Sequence, residues 1–208
     1  MLLISVSSLV AFIVASMAIE STPGPNMTYL AVISASKGRH VGFAAVAGVS
    51  LGLLMIGLAA ALGVSVLVTE TVWAYETIRW VGIVYLLWLA YDGWKEAEGS
   101  PVPEAEDHHL FLYFRRGLIT NLLNPKAAMF YLTVLPGFAN PSYAVTGQVI
   151  GLTIIYVVVA TVIHIAIVSL AGYARPLMDN DRYGLILRRT LAVLLAMVAV
   201  WFAVKTMR

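Results

Sequence analysis

The chain has 208 residues, of which 61% are apolar and only 12% charged, with a mean hydropathy of +0.88 and a net charge of +2. A water-soluble domain carries about 25% charged residues, so a chain this poor in charge cannot coat its own surface and belongs in a membrane. The absence of cysteine excludes disulfides, thiolate metal sites and thiol nucleophiles, and so small and scattered a charge excludes the basic patch that nucleic acid requires.

A helix needs roughly 20 apolar residues to cross about 30 Å of hydrocarbon. In chain order the apolar stretches are Leu2–Ile19, Val41–Val68, Val72–Trp94, Leu110–Phe138, Val145–Tyr173 and Leu185–Val204. They are continuously apolar rather than alternating, which favours helices over barrel strands. The expected fold is therefore an all-α integral membrane protein with six transmembrane helices. No Lys or Arg precedes the first stretch and Glu20 follows it, so it reads as a span and not as a cleaved signal peptide.

Basic residues divide unevenly between the two sides. The first, third and fifth connections hold nine (Lys37, Arg39, Lys95, Arg115, Arg116, Arg175, Arg182, Arg188 and Arg189), against Arg79, Lys205 and Arg208 on the other side. This bias predicts that both termini lie outside the cytoplasm. The polar segment Lys95–His109, with Gly99, Pro101, Pro103 and several acids, reads as a cytoplasmic linker. It separates a first three-helix repeat (1–95) from a second (111–208), with the linker at 96–110.

The two halves echo each other. Thr22-Pro23-Gly24-Pro25 is matched by Leu123-Asn124-Pro125-Lys126, and Gly48-x-x-x-Gly52 by Gly147-x-x-x-Gly151 at an offset of 99. Arg79 stands sixteen residues before Lys95, as Arg189 does before Lys205. A repeat of three spans must re-enter the membrane from the opposite face, which gives the 3+3 inverted-topology construction of many secondary transporters.

Proline deletes a helical hydrogen bond and pushes the preceding residue out of the helical region. Pro23 and Pro25 should therefore stop span 1, and Asn124-Pro125 should interrupt span 4. Asn26–Ser36 and Lys126–Pro136 each leave 11 residues beyond the break, roughly 16 Å of helix, so both breaks are expected near the bilayer midplane. Backbone groups freed there must be buried in protein or line a wet cavity. The neighbouring residues are polar: Glu20, Ser21, Thr22 and Asn26 at one break, Asn121, Asn124 and Lys126 at the other. The expected substrate site is thus Thr22, Pro23, Gly24, Pro25, Asn26, Asn121, Asn124, Pro125 and Lys126.

Within that site Lys126 is the sharpest candidate, because an ammonium at a helix centre costs about 2.5–3.5 kcal/mol on insertion scales. It opens a half-helix whose freed amides add positive potential, a combination suited to a carboxylate. The alternative is a permanent pair with Glu20. Glu20 could also receive a substrate ammonium or carry a coupling proton, and His164 inside span 5 is either a proton relay or a helix–helix hydrogen-bond donor. Asp92 is expected to pair with Lys95, three residues on. Arg79 and Arg189 are expected to snorkel to the interface. His108-His109 beside Glu104, Glu106 and Asp107 read as a solvated acidic linker, the two glycine pairs as close helix contacts, and Trp73, Trp80 and Trp94 as interfacial anchors.

Thr22-Pro23-Gly24-Pro25-Asn26-Met27, followed by Ser36-Lys37-Gly38-Arg39 and Gly42, resembles the first signature of the lysine-exporter (LysE/RhtB) family. Phe114-Arg115-Arg116-Gly117 with Asn121-Leu122-Leu123-Asn124-Pro125-Lys126-Ala127 resembles its second, and Tyr85–Ala90 and the chain length also fit. The resemblance implies a bacterial inner-membrane exporter of amino acids or close derivatives of the homoserine, threonine, leucine or lysine type, driven by proton antiport. Its substrate would lie between the Pro-broken helices, without cofactor or bound metal. A homodimer and a monomer both remain open. Glu20 and Asp92 depart from the family pattern. Two other readings compete: a divalent metal-ion exporter of the same superfamily, opposed by the lack of a His/Asp cluster within a span, and an intramembrane enzyme, opposed by the lack of a nucleophile beside His164. Coupling to ATP hydrolysis within this chain is excluded, since no Walker-type sequence is present.

Overall fold

All secondary structure in the computed structural model is helical among the residues it describes, which are 4–22, 24–62, 72–99, 107–140, 142–174 and 184–205. The helices are α1 (Val6–Ser21), α2 (Pro25–Lys37), α3 (Arg39–Ala61), α4 (Val72–Gly99), α5 (Asp107–Leu122), α6 (Pro125–Met129), α7 (Val145–Ala171) and α8 (Gly184–Lys205). By length and apolarity α3 and α7 can each cross a membrane, and α1 with α2 qualify together as one bent element. At 28 residues α4 is long enough, but Glu76, Arg79, Asp92 and Lys95 lower its hydropathy. Outward-facing Val10, Val14, Ile154, Val158, Val162, Val193 and Met197 form the apolar exterior of a multi-pass membrane protein.

Prolines set the ends of the helices around the centre. Thr22 precedes Pro23, Gly24 precedes Pro25 and Asn124 precedes Pro125, and all three have extended backbones, as the clash with a following proline ring dictates. Pro23 itself lies outside the described residues. The axes of α1 and α2 differ by 59° across this break. Between α2 and α3 a single residue, Gly38, turns the chain with φ 95°, a conformation that L side chains rarely adopt.

Glycines bring α3 and α5 into backbone contact. A Cβ at Gly48 would collide with the Phe114 carbonyl, one at Gly117 with the Ala45 carbonyl, and one at Gly52 with the Asn121 side chain. The first expected glycine pair is therefore a contact surface, while Gly147 of the second faces open space. α3 instead comes close to α7 at Thr153, which a Cβ at Gly57 would strike. α3 also packs along α7, where Ser50 and Thr161 are hydrogen-bonded at 2.7 Å, and α4 packs along α8.

Two other expectations need correction. Asp92 pairs not with Lys95 but with Arg116 of α5, at 2.7 Å, and the Arg116 guanidinium also lies over the Trp88 and Tyr113 rings. A partly buried guanidinium from the neighbouring helix outcompetes an exposed lysine on the same one. Arg189 lies over the Trp94 ring at 4.9 Å, and the side chain of Arg79 lies outside the described residues. Helix also continues into both ends of the expected linker, since α4 runs to Gly99 and α5 starts at Asp107. Residues 100–106, with Glu104 and Glu106, and the side chains of His108 and His109 lie outside the described residues.

The half-helix expected from Lys126 to Pro136 is regular only through α6. A π-helical stretch, Phe130–Val134, follows, in which the Leu135 N–H reaches back five residues to the Phe130 carbonyl, and then a 3₁₀ turn, Leu135–Phe138. Pro136 is the cause: it has no N–H to offer the Leu132 carbonyl, and its ring crowds that turn.

Candidate substrate site between the two helix breaks

At the first break the Thr22 N–H and hydroxyl both turn back to the Ile19 carbonyl, at 3.1 and 2.6 Å. The Thr22 carbonyl then has no helical donor, and it accepts a hydrogen bond from the Lys126 ammonium at 2.9 Å. Gly24 makes room for that lysine: a Cβ there would stand 3.3 Å from Lys126 Cδ. Pro25 occupies the first position of α2, where no N–H is needed. Asn26 is buried and donates through Nδ2 to Asn121 Oδ1 at 2.7 Å, tying the two breaks together.

The second break satisfies itself. Asn124 caps α6, its Oδ1 accepting the Lys126 backbone N–H at 3.0 Å, while its own N–H donates to the Asn121 carbonyl at 2.9 Å. Pro125 again takes the first helical position. Asn121 and Asn124 are thus a tie and a cap, and Lys126 is the residue the second break presents. Asn26 Oδ1 and Asn121 Nδ2 have no hydrogen-bond partner.

Glu20 is buried at the end of α1. The Tyr156 hydroxyl donates to its Oε1, and His164 Nε2 lies 3.3 Å from its Oε2. That distance suits an ion pair, but the imidazole is misaligned for a hydrogen bond, so both ring nitrogens lack one. Tyr156 and His164 stand eight residues apart on one face of α7. Glu20 is therefore not the partner of the Lys126 ammonium, which the Thr22 carbonyl takes instead.

These residues enclose a small polar pocket lined by Glu20, Gly24, Asn26, Met27, Asn124, Lys126 and Ala127, with room for about one water molecule. Of the expected site, Gly24, Asn26, Asn124 and Lys126 line it. Pro25 and Pro125 shape it, Thr22 contributes its carbonyl beside it, Asn121 holds Asn26 from behind, and Pro23 lies outside the described residues. Glu20, expected to act on a proton, lines the same pocket, with His164 behind it. The sequence reading missed Tyr156. The signal was available, because eight residues before His164 is the same face of the same helix. Phe130 and Tyr131, which pack on the Tyr156 ring, carried no such signal.

The family described as LysE type translocator matches residues 17–206. An uncharacterised membrane protein of Bacillus subtilis is 24% identical over 209 residues, covering 96% of this chain and 98% of that protein. A threonine efflux protein of Escherichia coli is 28% identical over 132 residues, 61% of this chain and 64% of that protein. A homoserine/homoserine lactone efflux protein of Salmonella typhimurium is 26% identical over 165 residues, 79% and 77% of the two chains. No solved structure gives a match.

Proposed function

The chain belongs to the LysE type translocator family, and from that premise we propose that it exports amino acids or close derivatives across the bacterial inner membrane by proton antiport. The relatives named for threonine and homoserine efflux support this substrate class. The observation that carries the reading is a single pocket, between the two breaks, lined by one carboxylate and one ammonium, Glu20 and Lys126. An α-amino acid is a zwitterion and offers the complementary pair of charges. In this reading Lys126 leaves the Thr22 carbonyl to hold the substrate carboxylate, helped by the positive N-terminal end of α2. Glu20 receives the ammonium.

Glu20 and His164 are also the coupling pair. A carboxylate that exchanges a proton for a substrate ammonium ties one movement to the other, and in this reading His164, 3.3 Å away, passes the proton on once its imidazole turns into line. The pocket is too small for an amino acid in this conformation, so loading requires the broken helices to part.

We assign the chain six spans in two inverted halves with both termini outside the cytoplasm. The pairing of α3 with α7 and of α4 with α8, and the packing of α3 on α5 and of α7 on α1, support that arrangement, because each contact has a counterpart in the other half. The test is efflux from cells preloaded with a panel of labelled amino acids, at two external pH values. Export of at least one amino acid, accelerated by acid outside, is expected. Efflux at the rate of cells lacking the protein for the whole panel would overturn the reading.

A further inference from the structure

Along α1 the buried residues are Phe12, Ser16 and Glu20, each four residues from the next, and Ser8, one turn earlier, continues the same row. Ser8 lines a cavity of about 350 Å³ at the N-terminal end of α1, together with Ser5, Phe138 and Asn140. One face of a single helix thus runs from this vestibule to the pocket at Glu20, and that face carries two serines and a carboxylate. Between the two cavities the row is closed: Ser16 is fully buried and its hydroxyl donates to the Phe12 carbonyl at 2.8 Å.

Four aromatic rings interrupt the row. Phe138, at the vestibule, meets Phe12 edge-on at 5.2 Å, Phe12 lies 5.9 Å from Phe130, and Phe130 stacks on Tyr156 at 3.7 Å. Phe12, Phe130 and Tyr156 are fully or almost fully buried. The stack ends on the group that hydrogen-bonds Glu20, because the Tyr156 hydroxyl donates to its carboxylate. The π-helical loosening before Pro136 falls on Phe130, so this ring is carried by the least regular turn of its helix.

We propose that the Phe138–Phe12–Phe130–Tyr156 stack is the gate closing the exit path along α1, and that Tyr156 is its latch, holding the gate shut through Glu20. The inference rests on the export reading for what passes the gate, and the gate itself is defined by access alone. When a substrate ammonium or a proton occupies Glu20, its charge is neutralised and the bond from the Tyr156 hydroxyl weakens. The stack is then released towards the vestibule.

The chain has no cysteine, so single cysteines report access without background. Met27→Cys places a thiol in the pocket and Ser8→Cys places one in the vestibule. A membrane-impermeant maleimide is added from the face that carries Ser8. Ser8→Cys should label readily in every background, which certifies reagent access, and a single symmetric peak of each Ser8→Cys variant in detergent certifies folding. Met27→Cys should label slowly in the parent and about tenfold faster once Phe12→Ala removes two ring contacts. Where Phe12→Ala fails the Ser8→Cys control, Phe12→Leu takes its place. Tyr156→Phe and Glu20→Ala should each accelerate Met27→Cys labelling, and the double variant no more than either alone, because both break the same latch. Fast labelling in the parent, or no change on removing Phe12, would overturn the gate. Additive effects of Tyr156→Phe and Glu20→Ala would overturn the latch. Labelling needs no transported substrate, so a gate that behaves as expected in a protein exporting none of the amino acid panel would leave the gate standing and remove the export reading.

Discussion

The two helix breaks are alike in sequence and opposite in what they do with their backbone. At the second, Asn124 caps α6 with its own side chain, which accepts the Lys126 N–H. At the first, Gly24 offers no side-chain cap to α2, and the Thr22 carbonyl is satisfied only by a lysine delivered from the other break. A self-contained break can hold a charged side chain in a defined place, and an unsatisfied break can receive one. The site needs one of each, so the same substitution should have unequal consequences at the two.

The largest effect is expected where the two breaks meet. Lys126→Met should reduce efflux by about two orders of magnitude, the scale of a buried charge left without its counterpart, while Lys126→Arg retains part of it. The check is preloaded efflux normalised to protein in the membrane. The double variant Glu20→Gln with Lys126→Met should stay inactive. If it recovered activity, the two charges would merely neutralise each other and the substrate role would fall.

Next comes the geometry of the receiving break. Replacing Pro23 and Pro25 together with Ala lets the chain between α1 and α2 become helical. Efflux is expected to drop by about tenfold, equivalent to about 1.4 kcal/mol, with membrane accumulation unchanged. Full activity would mean that an open Thr22 carbonyl is dispensable.

At the self-contained break the expected change is one of stability. Asn124→Ala removes a cap worth about 1 kcal/mol, which should lower the thermal midpoint in detergent, and Asn124→Ser should restore most of it. An unchanged midpoint would show that α6 does not depend on its cap. The smallest effect belongs to Thr22→Val, which keeps the carbonyl that accepts Lys126 and loses only an exposed hydroxyl. Efflux should stay within about fivefold of the parent, since an exposed hydrogen bond contributes at most about 1 kcal/mol. A collapse of efflux would assign the substrate contact to the hydroxyl.

Much of this site was legible because prolines act locally. Pro25 and Pro125 set the conformation of the residue before them in any surroundings, so the ends of α1 and α5 could be read from neighbours in the chain. The conversion of the half-helix after Met129 was legible in principle too, since Pro136 stands in the sequence, but a proline does not announce whether the turn before it will loosen or simply end. The partners of Asp92 and Arg189 were not legible. Sequence spacing ranks only neighbours on the same helix, and Arg116 and Trp94 reach those side chains across helix–helix contacts.

By itself, the sequence determined that the chain lives in a membrane, that its elements are helices and that two of them break beside polar residues, because hydropathy, periodicity and proline geometry are properties of short stretches. Only the tertiary structure decided that Glu20 answers to Tyr156 and His164 rather than to Lys126, that Asn26 and Asn121 tie the breaks together, and that Phe12 packs on Phe130. Each of those pairings joins residues about 90 to 140 positions apart. A pairing over that range depends on which faces of α1, α5 and α7 the packing turns inward.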